Sequence, residues 1–164
     1  MSHDMENKRY VVFDFDGTIY LQGAFISQLN YISTCILRFL FEQGYTIAII
    51  TGRYCSQKSF IFDLLLSNGI RISPSNFYCR TRDEPEVDWK KEVIEEFLEK
   101  IFSENAVIFE YHEDNAQVLD FVSRLDKNIC LYIYTNGLPA ILRKTSRCVS
   151  EKMIESCVKE KYGI

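Results

Sequence analysis

The chain has 164 residues, a length that suits one folded domain and is short for two. Hydrophobic residues make up 47% of it and charged residues 26%, close to globular averages, so a disordered or fibrous protein is excluded. The 19 basic and 23 acidic side chains give a formal net charge of −4. This balance lacks the uniform positive charge that attracts a protein to nucleic acid non-specifically.

Five short apolar runs predict β-strands. They are continuous and rich in Val, Ile, Phe and Tyr, as expected for strands that are buried on both faces of a parallel sheet. In chain order they cover residues 10–15, 45–51, 76–79, 106–111 and 129–135.

Four segments with helical spacing of apolar residues separate these runs. The alternation predicts an α/β protein with a three-layer, doubly wound, Rossmann-like parallel sheet of five strands. In such a fold the ligand site lies outside the carboxyl ends of the strands. The predicted helices cover residues 27–43, 55–68, 89–103 and 115–125.

The two ends of the chain complete a single predicted domain over residues 1–164. Residues 1–8 are predicted to form a tail, and residues 139–162 an amphipathic helix, or two, that packs against the sheet. The basic side chains Arg143, Lys144 and Arg147 in this segment are either a solvated face or a surface for an anionic partner.

The six cysteines are widely scattered, with no CxxC pair and no His-rich cluster beside them. We therefore predict neither a zinc site nor a disulfide framework. The first residues lack the apolar stretch of a signal peptide, and no apolar run approaches the roughly 18 residues of a membrane span. These features predict free thiols and a reducing, cytoplasmic compartment.

The strongest chemical signal follows the first predicted strand, where Asp14 and Asp16 are succeeded by Gly17 and Thr18. A capped strand end would explain one Asp and the Gly. It would not explain a further carboxylate at the buried end of a strand, because buried carboxylates are costly and tend to mark metal or catalytic sites. Since Gly17 allows a sharp turn, both carboxylates can face one pocket.

This stretch resembles the first motif of the haloacid dehalogenase (HAD) superfamily, Asp-x-Asp-Gly-Thr after a hydrophobic strand. The second predicted strand ends in Thr51-Gly52-Arg53. This sequence is similar to the second motif of the family, in which a hydroxyl and backbone N–H groups hold the phosphoryl oxygens. The resemblance covers nearly the whole chain and implies that Thr51, Gly52 and Arg53 contact the substrate.

Two further motifs follow in the family's order. The third is a lysine on the helix before the fourth strand, and both Lys90 and Lys91 are candidates, with Lys90 ranked first. Glu113 and Asp114, after the fourth strand, look like the acidic motif that helps to hold magnesium. Either of them could reach the metal, and Asp114 is the first choice.

The resemblance implies a phosphomonoester hydrolase that requires Mg²⁺. The ion would be held by Asp14, Asp16 and Asp114 or Glu113, and would neutralise the charge that opposes attack on a phosphate dianion. Asp14 would be the nucleophile that forms an aspartyl-phosphate, with Lys90 and Thr51 stabilising the transferring group.

The resemblance gives Asp16 two roles. It would protonate the leaving oxygen, and later, once ionised, take a proton from the attacking water. An Asp two residues after the nucleophile is typical of the phosphatase and phosphomutase branches. Asp16 therefore favours hydrolysis.

Family members often carry a cap domain after the first or the third strand. Here residues 19–28 suffice only for a hairpin-like flap, and residues 81–88 for a loop, so we predict no cap. An open site suits a phosphate on a macromolecule. Because the chain is acidic overall, a phosphoprotein is favoured over a nucleic-acid end, and a small phosphometabolite is the third choice.

Two other hypotheses remain at this point. The order Trp89-Lys90, Glu113-Asp114 and Phe121 is similar to small capless relatives proposed for RNA repair, although Val118 stands where those have a His. In a different class, the chain could be a catalytically idle HAD-like module that binds a partner through its basic face. A magnesium-dependent phosphatase assay distinguishes this module from an enzyme.

Overall fold

The computed structural model describes residues 8–23, 25 and 27–163. Residues 1–7 of the predicted tail, and residues 24 and 26 of the predicted flap, lie outside this range. The strands are β1 (Arg9–Phe13), β2 (Tyr20–Gln22), β3 (Ser27–Leu29), β4 (Thr46–Tyr54), β5 (Phe77–Arg80), β6 (Val107–Glu113), β7 (Cys130–Thr135) and β8 (Leu138–Arg143). The helices are α1 (Tyr31–Glu42), α2 (Lys58–Ser67), α3 (Glu86–Ser103), α4 (Ala116–Leu125) and α5 (Glu151–Tyr162).

The main sheet has the strand order β5-β4-β1-β6-β7-β8. The first five of these strands are parallel, whereas β8 pairs antiparallel with β7. The α/β, Rossmann-like prediction is confirmed. The predicted sheet of five strands is wrong, because β8 adds a sixth strand at the edge.

The strand β8 also corrects the prediction of helix over residues 139–162. Asn136 and Gly137 both have positive φ, at 53° and 83°, which makes a tight turn of the kind that joins adjacent antiparallel strands. The chain therefore folds back along β7, with Thr135 opposite Leu138. Only residues 151–162 of this segment are helical.

Helices cover both faces of the sheet. Residues of α1, α2 and α5 pack on the face that carries Val11 and Phe13 of β1, and residues of α3 and α4 pack on the face that carries Tyr10 and Val12. These four β1 side chains are at most 1% exposed, and each buried side chain of this size contributes about 1.5–3 kcal/mol. The strand β1 is thus the centre of the fold.

The prediction of free thiols is wrong, because all six cysteines are paired. The bridges join Cys35 of α1 to Cys157 of α5, Cys55 to Cys79 of β5, and Cys130 of β7 to Cys148. The partners are 122, 24 and 18 residues apart in sequence, and Cys35 meets Cys157 only when α1 and α5 pack on the same face of the sheet. The reducing, cytoplasmic compartment stays a prediction, and three disulfides are unusual in such a compartment.

Within the described residues no helix is both long and apolar enough to cross a membrane.

Two of the three side chains of the predicted basic face, Arg143 and Arg147, are bonded within the fold, while Lys144 is exposed and pairs with Glu151. The Arg143 guanidinium donates to the backbone oxygens of Ser123, Asp126 and Ile129 at 2.7–3.1 Å. Arg147 donates to Ile108 O and to the Asp126 carboxylate. These contacts lie near the amino ends of β6 and β7, at the edge of the sheet opposite to the carboxyl ends of the parallel strands.

Candidate active site

Asp14 lies directly beyond β1, at the carboxyl end of the central strand. Its N–H donates to His112 O of the neighbouring β6 at 2.9 Å, and the residue is 3% exposed. The chain then turns sharply, with Gly17 at φ 80°. A Cβ at Gly17 would collide with the carboxylate of Asp114, so the glycine allows β1 and β6 to bring these acidic residues together.

Lys90 reaches this carboxylate from α3. Its ammonium lies 2.6 Å from Asp14 Oδ1 and 3.0 Å from Glu113 Oε1. Burial alone would lower the pKa of Lys90, but the two facing carboxylates raise it well above its ordinary value. The other candidate, Lys91, instead lies over the ring of Phe121 at 5.7 Å from its centroid.

Glu113 is fully buried at the end of β6. Its Oε2 accepts the N–H groups of Asp114 and Asn115 at 3.1 and 3.2 Å, where Asn115 caps α4. Burial, and then the negative charge of Asp14, raise the pKa of Glu113 well above its ordinary value. Burial likewise raises the pKa of Asp14. The two carboxylates thus share one buried cation, the ammonium of Lys90.

Asp14, Glu113 and Asp114 form an acidic cluster. Each offers one oxygen, and these atoms lie within 4.8 Å of one another. Oxygen ligands of this type are those that Mg²⁺ prefers. The cluster has three acidic groups and one ammonium beside it, that of Lys90, which bonds Asp14 and Glu113. The donor set therefore fits the ion that the HAD resemblance implies.

Asp16 is not part of this acidic cluster, and its predicted role as a metal ligand stays a prediction. Its carboxylate is bound by Arg53 through two parallel bonds of 2.9 Å, from Nε to Oδ2 and from Nη2 to Oδ1. The hydrogen bond to Asp16 raises the pKa of Arg53 above its ordinary value. Aromatic rings surround the guanidinium, since the centroids of Phe15 and Tyr20 are each 5.4 Å away.

Thr51 and Gly52 lie in the neighbouring β4, which is beside β1 in the sheet. Thr51 is fully buried, and its hydroxyl accepts the N–H of Arg53 at 3.1 Å. A Cβ at Gly52 would collide with the carboxylate of Glu86 from α3. The backbone of Gly52 therefore lies directly against the carboxylate of Glu86, a residue outside the four sequence motifs.

A buried hydrogen-bond network around His112 lies on the face of the sheet that carries Phe13, opposite to the face that carries α3 and Lys90. The His112 ring is stacked on Phe13, with Nε2 2.9 Å from Glu110 Oε1 and Nδ1 2.7 Å from the Tyr134 hydroxyl. Glu110 also accepts the N–H groups of Val149 and Ser150, which precede α5. His112 is thus a structural residue whose backbone oxygen positions Asp14.

Two open clefts share the residues Asp16 and Gln22. Gln22 lies on β2, which pairs antiparallel with β3 in a hairpin. The larger, of about 520 Å³, also contains Asp114 and the β7–β8 turn. The smaller, of about 400 Å³, also contains Gly52, Arg53 and Arg80. Sequence reasoning missed Arg80 and Glu86 because they lie outside the four motifs, on segments that only the fold brings to this edge.

No protein-family model and no curated protein matches the sequence. Among solved structures, a chain of the Pnkp1/Rnl/Hen1 RNA repair complex is 24% identical over 76% of this chain and 42% of its own, with a TM-score of 0.62. A chain of a second Pnkp1/Rnl/Hen1 complex is 20% identical over 84% and 49%, with a TM-score of 0.66. This chain therefore spans less than half the length of either.

A weaker match is the cobalt-bound deoxy-D-mannose-octulosonate 8-phosphate phosphatase from Haemophilus influenzae. It is 15% identical over 77% of this chain and 67% of its own, with a TM-score of 0.46. The two stronger matches support the α/β fold that the HAD resemblance implies.

Proposed function

We propose that this protein is a magnesium-dependent phosphomonoester hydrolase that works through an aspartyl-phosphate on Asp14. One observation carries the proposal: a buried carboxylate at the end of the central strand lies 2.6 Å from a buried lysine and within 4.8 Å of two further carboxylates. Such an arrangement is costly in a protein that makes no use of it, because burying the charges of Asp14, Glu113 and Lys90 has a high free-energy cost.

Asp14, Glu113 and Asp114 would hold the Mg²⁺ ion, which supplies charge neutralisation to the phosphoryl oxygens when bound. Glu113 and Asp114 differ in how accessible their carboxylates are to a metal ion. Glu113 Oε2 already accepts two backbone N–H groups and its Oε1 accepts Lys90. Asp114 is exposed, so its carboxylate is the more accessible of the two.

Asp14 and Asp16 would carry the two chemical steps. An oxygen of Asp14 would attack phosphorus, forming an Asp14–phosphorus bond as the ester oxygen leaves with a proton from Asp16. Lys90 holds the Asp14 carboxylate in one orientation, and the Thr51 hydroxyl with the Gly52 backbone would bind the phosphoryl oxygens. Asp16 would then take a proton from water, whose oxygen displaces Asp14 and releases phosphate.

Arg53 would bind the substrate beside this acid–base residue. The guanidinium of Arg53 bonds Asp16 on one edge and donates to Gln57 Oε1 at 2.9 Å. Phosphoryl oxygens suit the same planar donor set as a carboxylate. We propose that substrate exchanges with Asp16 at Arg53, which frees the Asp16 carboxyl for proton transfer.

The substrate proposed is a phosphate on a macromolecule. In the described residues, the hairpin β2–β3 and the loop over residues 81–85 stand at the two points where caps occur in HAD proteins, which supports an open, capless site in a single domain. Overall acidity favours a phosphoprotein. The fold similarity to chains in RNA repair complexes favours a nucleic-acid end as the second candidate.

The test is hydrolysis of an aryl phosphate by the full chain with and without Mg²⁺. We expect turnover that a chelator abolishes, and none in Asp14→Asn. A matched control is Asp120→Asn, an exposed acid paired with Arg124 on α4, which should retain wild-type rates. After acid quench, mass spectrometry should find a phosphate on the peptide that contains Asp14.

Equal activity of the wild type and Asp14→Asn would refute the mechanism. Full activity in chelator would refute the proposed role of the ion. Asp114→Asn provides a separate readout, because it should raise the Mg²⁺ concentration needed for half-maximal activity at least about tenfold if this exposed carboxylate is a ligand.

A further inference from the structure

Arg80 lies at the end of β5 and lines the smaller cleft together with Asp16, Gly52 and Arg53. It is held in place by two backbone carbonyls: Nε donates to Gly52 O at 2.9 Å and Nη1 donates to Glu84 O at 2.8 Å. The guanidinium also stacks over the ring of Tyr54, 4.3 Å from the centroid. Its position is therefore preorganised.

The charge of Arg80 is not neutralised by a carboxylate. Among the described residues, Arg53 is paired with Asp16 and Arg82 with Glu84 and Glu92, whereas Arg80 makes no ion pair within 4.0 Å. Both hydrogen bonds of Arg80 go to neutral carbonyls. A fixed cation of this kind beside a phosphate site is suited to a second anionic group on the same ligand.

The disulfide Cys55–Cys79 fixes the spacing of the cleft. Cys55 follows β4, which carries Arg53, and Cys79 immediately precedes Arg80 on β5. The covalent link therefore holds the two arginine-bearing segments together at the edge of the sheet. A rigid pair of cationic positions favours a ligand whose two anionic groups also have a fixed spacing.

We propose that Arg80 binds the phosphodiester next to the terminal phosphate of a nucleic-acid strand. This inference rests on the proposed function, in which Thr51, Gly52 and Arg53 bind the terminal phosphate. At this cleft a strand is favoured over the phosphoprotein that the overall acidity of the chain suggests, because Tyr54, 42% exposed, places an aromatic ring beside the guanidinium. Aromatic rings and arginine planes are the surfaces on which unpaired bases stack.

Glu86 opposes this binding. Its carboxylate lies against Gly52 in the same cleft, and the residue is exposed at the start of α3. An incoming phosphodiester would be repelled by Glu86 and attracted by Arg80. Removing the charge of Arg80 should therefore weaken binding of the phosphodiester, and removing the charge of Glu86 should strengthen it. A merely structural role for Arg80 would not produce these opposite effects.

The experiment compares kcat/KM for a 3′-phosphorylated dinucleotide with that for the matching 3′-mononucleotide, and repeats the comparison for 5′-phosphates. The ratio is the readout, since it cancels general losses of activity. We expect a wild-type ratio of at least about ten for one of the two ends. Arg80→Gln should reduce that ratio about tenfold, Arg80→Lys should reduce it less, and Glu86→Gln should raise it.

Arg82→Gln is the matched control, because Arg82 is only two residues further along the chain and is paired with acidic residues. Its ratio should equal that of the wild type. Binding of an oligonucleotide without a terminal phosphate gives a readout independent of turnover and should weaken in Arg80→Gln. Thermal unfolding identifies a variant that fails to fold, in which case Arg80→Lys and Glu86→Gln carry the test.

Three results would overturn the inference: a wild-type ratio near one, an unchanged ratio in Arg80→Gln, or an equal effect of Arg82→Gln. A doubly phosphorylated peptide with a larger Arg80-dependent preference than the dinucleotide would overturn the assignment to nucleic acid. Failure of the proposed function itself is distinguishable, because the wild type would then hydrolyse no phosphomonoester, whatever its oligonucleotide affinity.

Discussion

The Lys90 ammonium lies 2.6 Å from Asp14 Oδ1, and the two side chains are 4% and 5% exposed. Lys90 also bonds Glu113 at 3.0 Å, so a single buried cation serves two buried carboxylates. Removing one member of such a group leaves an uncompensated buried charge, which costs more than the intact pair contributes. This relationship links the stability of the site to its chemistry.

Lys90→Met should therefore lower the free energy of unfolding by about 3–5 kcal/mol and abolish phosphatase activity. Urea unfolding and an aryl phosphate assay measure the two effects. Lys91→Met is the matched control, because Lys91 lies over Phe121 rather than at a carboxylate. Similar losses of activity in the two variants would contradict the assignment of Lys90.

Asp16→Asn should separate the two halves of the proposed reaction. An ester with a good leaving group needs no proton, so slow phosphorylation of Asp14 should persist, while the rate falls increasingly as the leaving group becomes more basic. Loss of the base should also make the phosphoenzyme accumulate. A series of aryl phosphates measures the dependence on leaving group, and a wild-type slope in the variant would exclude Asp16 as the acid.

Glu110→Gln should destabilise the protein in a pH-dependent manner. Burial alone would raise the pKa of Glu110, but the hydrogen bonds from His112, Ser150 and Val149 lower it below its ordinary value of 4.5. A lowered pKa in the folded state means that the ionised group stabilises the fold above about pH 4.5 and that this contribution is lost as the pH falls through the lowered value.

We therefore expect Glu110→Gln to lose about 1–3 kcal/mol at pH 7, with the difference from wild type shrinking below pH 4.5. Urea unfolding across this range measures it. A constant difference down to pH 3 would show that the ionisation of Glu110 does not contribute.

The three disulfides should contribute unequally. In the chain-entropy account, a longer closed loop gives more stabilisation, about 3 kcal/mol for 15 residues and 4.7 kcal/mol for 100. The Cys35–Cys157 bridge spans 122 residues and Cys130–Cys148 spans 18. The double serine variant of the first pair should therefore lower the unfolding free energy the most.

Alkylation of the unreduced, urea-unfolded chain measures whether the cysteines are in disulfides. Mass spectrometry should find no modified cysteine before reduction and six after it. Six alkylated cysteines before reduction would contradict the pairing.

Periodicity and local motifs predicted much of the fold and the position of the candidate site. The strands of the parallel sheet are buried on both faces. Their sequences are therefore continuous apolar runs, which can be recognised as strands. Asp14 directly follows β1, and Thr51 and Glu113 lie toward the carboxyl ends of β4 and β6, so their meeting at one edge of the sheet follows from topology alone. One local signal, Asn136-Gly137, was missed, and with it the strand β8.

Only the tertiary structure decided the contacts between residues distant in sequence. Lys90 and Lys91 are adjacent and chemically alike, and the orientation of α3 determines which one faces Asp14. The pairing of Cys35 with Cys157 requires α1 and α5 to dock on the same face of the sheet. Arg143 is basic in sequence but donates to backbone carbonyls in the fold, because buried carbonyls need donors. Composition and spacing carry no information about such partners, since each contact depends on the packing of whole elements.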